Sequence, residues 1–148
     1  MKTILTRIVA YHFGFLAVLK IYIVPYLNVN LWLVLITKLH HTDKELPHYR
    51  NDEWNWLRGQ LSTKDRTYGY VIDTILHNIT NTHVCHHLFP QLPHYNALEA
   101  TEHLKKKLGK FYREDPRSLW EQIYATFDEC QFVEEEDKIA MFKRDLDE

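Results

Sequence analysis

Residues 83–95 read His-Val-Cys-His-His-Leu-Phe-Pro-Gln-Leu-Pro-His-Tyr, and the rest of the chain is organised around them. His83, His86 and His87 stand at i, i+3 and i+4, so a helix gathers them on one side of its cylinder. Converging imidazoles cost stability unless something binds them, and a divalent metal is the usual occupant. A polar helix end whose histidines face water is the bland alternative, and the spacing leaves both open. Cys85 lies inside the cluster, where a lone thiol more often packs than ligates.

Working outward, the stretch has an echo. His40-His41 is followed by four residues and then Leu46-Pro47-His48-Tyr49, just as His86-His87 is followed by four and then Leu92-Pro93-His94-Tyr95. The pattern predicts two helices that each end in a histidine pair, with the residue before each proline pushed out of the helical region. Both pairs then lie at one depth, which makes His41 the candidate fourth ligand beside His83, His86 and His87. A repeated helix stop with no metal is the competing reading. His77 precedes His83 by six positions, ~120° away at ~100° per residue, which suits a supporting or structural role.

Composition bounds the rest. A chain of 148 residues holds one domain, and its formal net charge of −2 gives no electrostatic case for nucleic acid. Cys85 and Cys130 give no disulfide framework and fit a reducing compartment. From Ile21 to Thr37 there are 17 uncharged residues, interrupted by Pro25, Asn28 and Asn30, at the lower limit for crossing a bilayer. Residues 4–19 are nearly as apolar, and only Lys20 separates the two runs. Residues 1–39 therefore read as a transmembrane helical hairpin with helices over about 3–19 and 22–39. A buried helical pair is the alternative. The first run has no small-residue cleavage site after it and does not read as a signal peptide.

Beyond the hairpin, residues 51–70 interleave Trp54, Trp56, Leu57 and Leu61 with charges, as an amphipathic segment at a bilayer surface does, and a soluble surface helix with buried tryptophans fits the stretch equally. Residues 69–88 read as one helix leading into the histidines. Residues 97–112 follow as an amphipathic helix, residues 119–132 resume a helical pattern, and the residues from 134 onward read as an acidic tail of net charge −4. No Gly-rich phosphate loop, GxSxG elbow or EF-hand pattern is present.

These residues resemble the membrane-bound fatty acid desaturases of the acyl-lipid delta-12 and omega-3 type. Thr82-His-Val-Cys-His-His-Leu-Phe-Pro-Gln-Leu-Pro-His-Tyr95, with Glu99-Ala-Thr101, is similar to that family's third histidine box and its flank. Leu33-Val-Leu-Ile-Thr37, His41-Thr42, Leu46-Pro-His-Tyr49, Glu53-Trp-Asn-Trp-Leu-Arg-Gly59 and Asp65-Arg66 follow in the family's order, to about Tyr112. His40 departs from it, since relatives usually carry glutamine there.

The resemblance implies a mainly α, integral-membrane histidine-box di-iron fold: the hairpin, then amphipathic and cytosolic helices over 40–133. It implies an oxidoreductase that puts a cis double bond into an acyl chain with O2 and a histidine-ligated di-iron centre. His41, His83, His86 and His87 are then iron ligands, cytochrome b5 or ferredoxin the electron donor, and an acyl-lipid in the membrane the substrate. The implied location is the endoplasmic reticulum, with the histidines facing the cytosol. The family's first two boxes precede the matching region, so the chain reads as a desaturase's C-terminal portion, catalytically incomplete by itself. Two other readings stay open. One is a non-catalytic membrane or interaction protein that keeps the desaturase scaffold. The other is a soluble zinc protein, which lacks the glutamate base of zinc hydrolase motifs and leaves the hairpin unexplained.

Overall fold

Gly14 divides the apolar N-terminal region. The computed structural model describes residues 2–134 and 138–144. Helix α1 (Lys2–Phe13) stops where Gly14 takes φ +78° and ψ 167°, a backbone region open essentially to glycine. Phe15–His41 then forms a continuous helix of 27 residues. It comprises α2 (Phe15–Val18), a π-helical turn at Leu19–Ile23, and α3 (Val24–His41). The π turn has a cause in the sequence. Pro25 has no N–H to return to the preceding turn and its ring crowds that turn's carbonyl, so widening the helix just before it relieves both. The break read near Lys20 therefore lies at Gly14, and Lys20 sits inside the π turn.

The chain divides into two compact units, Met1–Thr37 and Lys38–Glu148. In the first, α1 folds back so that Leu5, Thr6 and Val9 share a cavity with Val18, Ile21 and Tyr22. Among the described residues, Phe15–His41 is the one helix long and apolar enough to cross a bilayer. At ~1.5 Å per residue, the 12 residues of α1 reach ~18 Å, short of a ~30 Å hydrocarbon core.

The second unit begins with the last turn of α3. Strand β1 (His48–Tyr49) pairs antiparallel with β5 (Ile139–Ala140), and β2 (Asp65–Arg66) pairs parallel with β3 (Glu114–Asp115). Strand β4 (Phe132–Val133) pairs antiparallel with β6 (Phe142–Lys143). Part of the expected acidic tail is thus paired: residues 138–144 carry β5 and β6, while 135–137 and 145–148 lie outside the described residues. The echo is not structural throughout, because His48-Tyr49 enters a strand whereas His94-Tyr95 opens a helix.

Helix α4 (Trp56–Gln60) starts at Asn55, whose side chain accepts the Arg58 N–H at 2.9 Å. A 3-10 turn at Asn51–Glu53 precedes it and β2 follows, so residues 51–70 are not one helix. The stretch read as a helix over 69–88 is also split, into α5 (Tyr70–Ile75) and α6 (His83–Leu88). His77 and Asn78 between them take φ of +54° and +60°. Asp73 holds this loop: its carboxylate accepts the Tyr68 N–H at 2.9 Å and the hydroxyls of Thr80 at 2.7 Å and Thr67 at 2.6 Å. Those three bonds outweigh the helical continuation that the apolar spacing favours.

Helix α7 (His94–Leu108) ends at Gly109 with φ +52°, and Lys105, Lys106 and Lys107 in its last turn suit the helix dipole. Helix α8 (Leu119–Glu129) opens with a capping box between Ser118 and Glu121. The interior joins Leu39, Leu46, Val84 and Cys85 to a buried ion cluster. Asp43 Oδ2 meets Lys64 Nζ and Arg66 Nη2 at 2.9 Å each, and Asp115 Oδ2 meets Arg66 Nη1 at 2.9 Å and Arg117 Nη2 at 2.7 Å.

Candidate metal centre

The end of α3 and one face of α6 bring three imidazoles together. Nε2 of His41 lies 3.2 Å from Nε2 of His83 and 3.2 Å from Nε2 of His87, and the last two are 3.3 Å apart. His83 and His87 meet because they are one helical turn apart on α6. His41 meets them because α3 terminates there. A tetrahedral ion with ~2.0 Å metal–nitrogen bonds would see its ligand nitrogens ~3.3 Å apart, so the observed triangle fits one cation held by three neutral imidazoles.

Two of the rings have partners that fix their protonation. The far nitrogen of His87, Nδ1, faces Gln60 Oε1 at 3.2 Å, and His41 Nδ1 faces the Ser62 carbonyl at 3.5 Å. With its proton on Nδ1 donated to these acceptors, each ring turns a bare Nε2 lone pair toward the shared point. Burial pushes His83 down to about 3, with His87, His41 and His86 adding to it. Burial, then His41 and His86, pushes His87 down to about 4. Both rings are neutral near pH 7, so a cation displaces no proton from them.

His86 faces elsewhere. It is exposed, with its ring centre 5.8 Å from that of His83 and 6.0 Å from that of His87. It lines a cavity of about 190 Å³ together with His77, Thr82, Cys85, Phe89 and His94. His77 packs on His94 with ring centres 4.6 Å apart, away from the three converging rings. His40 is fully buried beside the cluster, stacked on Tyr68 at 5.7 Å and 4.3 Å from His83. Among the described residues, neither of its ring nitrogens has a hydrogen-bond partner.

The residues that support the site are not the neighbours of the histidines in sequence. Asp73, Asn78 and Asn81 stand near the histidines in sequence, but Asp73 is engaged with Thr67, Tyr68 and Thr80. The acceptors come from Gln60 and Ser62, more than twenty residues upstream of α6. Asp65, also upstream, caps α6: its Oδ1 accepts the Val84 N–H at 2.7 Å, and its Oδ2 accepts the Tyr112 hydroxyl. Burial raises the Asp65 carboxyl to about 6, against the hydrogen bonds from Tyr112 and Val84 that lower it.

Three imidazoles converge on one point, one of them at the end of a helix long and apolar enough to cross a bilayer, and together they make a histidine cluster compatible with a bound metal ion. The chain belongs to the fatty acid desaturase family, whose sequence model matches residues 3–116. It is 54% identical over 129 residues to a delta(12) fatty acid desaturase of Mortierella alpina, covering 87% of this chain and 32% of the relative. It is 50% identical over 121 residues to a delta(12)-fatty-acid desaturase of Arabidopsis thaliana, covering 82% and 31%. A delta(12) acyl-lipid conjugase (11E,13E-forming) of Momordica charantia is 47% identical over 116 residues, covering 78% and 29%. The chain thus spans about a third of the length of these curated relatives.

Proposed function

We propose that this chain is the C-terminal part of a membrane acyl-lipid desaturase that introduces a cis double bond, of the delta-12 or omega-3 type, using O2 and a histidine-ligated di-iron centre. The observation that carries the reading is the convergence of His41, His83 and His87 Nε2 atoms at 3.2–3.3 Å. In this reading those three rings hold one iron ion. His86, turned to the other side of α6, serves the second ion with ligands supplied from outside this chain. Four imidazoles are fewer than a di-iron site needs, so the chain alone turns over no substrate.

Removing hydrogen from an unactivated methylene requires an oxidant made from O2, which iron supplies when bound. The chain's own residues hold and orient. Gln60 and Ser62 keep the protons of His87 and His41 on Nδ1, and burial keeps protons off His83. Asp65 fixes the start of α6 and with it the angle at which His83 and His87 enter the site. Directly after His87 in sequence, Leu88, Phe89, Leu92 and Pro93 line an apolar trough of about 630 Å³, a surface suited to an acyl chain. The helix Phe15–His41 is the membrane span, in the endoplasmic reticulum, with the histidines on the cytosolic side. Electrons arrive from cytochrome b5 or ferredoxin.

The test joins this chain to the remaining N-terminal part of the Mortierella relative, in a host that makes oleate but no diunsaturated acid. Diene formation by the joined protein, lost on His83→Ala, is the expected result. A folded, membrane-inserted joined protein that forms no new double bond overturns the reading. The similarity to a conjugase makes the geometry of the product part of that assay.

A further inference from the structure

Helix α8 is built inside out. Its outer face carries Trp120, Tyr124 and Phe127 at i, i+4 and i+7, exposed by 78%, 70% and 57%. Its inner face carries Gln122, Ala125 and Thr126, all buried. A helix on a water-facing surface shows the opposite arrangement. Rolling the helix to bury the aromatic face is opposed by hydrogen bonds on the inner one. Gln122 Nε2 donates to the carbonyls of Arg117 at 2.5 Å and Thr67 at 3.3 Å, and the Thr126 hydroxyl donates to the Thr42 carbonyl at 3.4 Å.

A second contact says what covers the aromatic face. Lys38 Nζ sits 4.9 Å from the centre of the Phe127 ring. Lys38 is the first charge after the uncharged run Ile21–Thr37. A lysine at the end of a membrane span places its ammonium at the headgroups, and a ring packed against that ammonium lies at the same depth. Trp and Tyr, with an apolar body and a polar tip, are the side chains suited to that depth.

We infer that the outer face of α8 is lipid-facing, with Trp120, Tyr124 and Phe127 at the depth of Lys38, in the boundary between headgroups and acyl chains. The partner of this face is lipid. The inference rests on the proposed membrane span Phe15–His41 and is independent of the metal.

The test uses the full chain in phosphatidylcholine vesicles, with Trp32, Trp54 and Trp56 replaced by Phe so that Trp120 alone emits. Lipids brominated near the headgroup should quench Trp120, with a blue-shifted emission and little quenching by aqueous iodide. Tyr124→Glu should reduce the bromine quenching and restore access to iodide. Co(II) binding by the His41, His83 and His87 cluster, unchanged by the tryptophan replacements, verifies the fold. Vesicle flotation separates the two readings. A chain that floats while Trp120 ignores bromine overturns the inference alone: iodide quenching then places the face in water, and protection from both quenchers places it against protein. A chain that does not float overturns the membrane span and the inference with it.

Discussion

The carboxylate of Asp65 accepts the backbone N–H of Val84 at 2.7 Å and so closes the first turn of the helix that carries His83 and His87. The cap comes from a neighbouring strand, because Thr82, in the N-cap position, makes no side-chain cap bond of its own. Replacing Asp65 with alanine removes the cap and strands the Tyr112 hydroxyl. The expected loss is ~2 kcal/mol of stability, in the range for a hydrogen bond to a charged group. Asparagine keeps the acceptor and should lose less than half as much. Urea denaturation in detergent measures both, and equal losses in the two variants would refute the capping role.

Of the four histidines marked by the sequence, three converge and one does not. In this chain alone, alanine at His41, His83 or His87 should each abolish tight binding of Co(II), read from its ligand-field absorption. Alanine at His86 should leave that binding nearly intact. An equal loss at His86 would place it in the same ligand set.

Gln60 acts through His87. Substituting leucine removes the acceptor that holds the Nδ1 proton, and outer partners of metal-bound histidines are worth ~10–100-fold in affinity. Gln60→Leu should therefore weaken Co(II) binding by at least ~10-fold while leaving the unfolding midpoint of the metal-free chain nearly unmoved. Glutamate there restores an acceptor and should restore affinity.

Acid should destabilise the metal-free chain early. His83 and His87 have folded values of about 3 and about 4, below the ordinary 6.5 of an unfolded histidine, so the unfolded chain takes up protons first as pH falls. Their stabilising contribution is complete above pH 6.5 and is lost progressively as pH falls from there to about 4 for His87 and about 3 for His83. Asp65 has the opposite sign. Raised to about 6 from 3.8, it favours folding most below 3.8 and loses that contribution as pH rises through about 6. Unfolding midpoints measured between pH 7.5 and 4 should fall on acidification and fall less in His83→Ala. A flat profile would argue that the rings are not buried in solution.

The ion cluster around Asp43 holds the turn after α3. Arg66 has no exposed side-chain surface, and it depends on Asp43 and Asp115 for its counter-charges. Asp43→Ala leaves a buried guanidinium with one of them and should cost ~3–5 kcal/mol. The loss should exceed that of Glu53→Ala, which breaks the exposed pair with Arg58 and is worth at most ~1 kcal/mol.

Much of this architecture is visible in the sequence, and the exceptions share a physical cause. The histidine spacing on α6 is local, and the echo at residues 40–49 points to His41 as the partner of α6. The helices after Pro93 and Ser118 announce themselves through the spacing of their apolar residues. By contrast, Gln60, Ser62 and Asp65 reach the histidines across 19 to 27 residues, through side-chain and backbone contacts that leave no periodic trace. The split between α5 and α6 was hidden because apolar spacing continues through residues whose backbone is set by Asp73. The break at Gly14 in place of Lys20 was hidden because a π turn let the helix absorb Pro25. The sequence of α8 shows a helical pattern without saying which face is inside, and only its inward hydrogen bonds reveal that.

Three ring nitrogens aimed at one point make folding answer to supply. Bringing lone pairs together opposes the folded state, whereas an ion that binds only that arrangement favours it by RT ln(1 + [M]/Kd). At a free ion concentration a hundred times Kd the gain is ~2.7 kcal/mol, a large share of the stability of a small domain. If the three rings hold an ion as proposed, the expected outcome is that folded chain in a cell follows its free metal, read as a fall in protein abundance on metal starvation with its messenger unchanged.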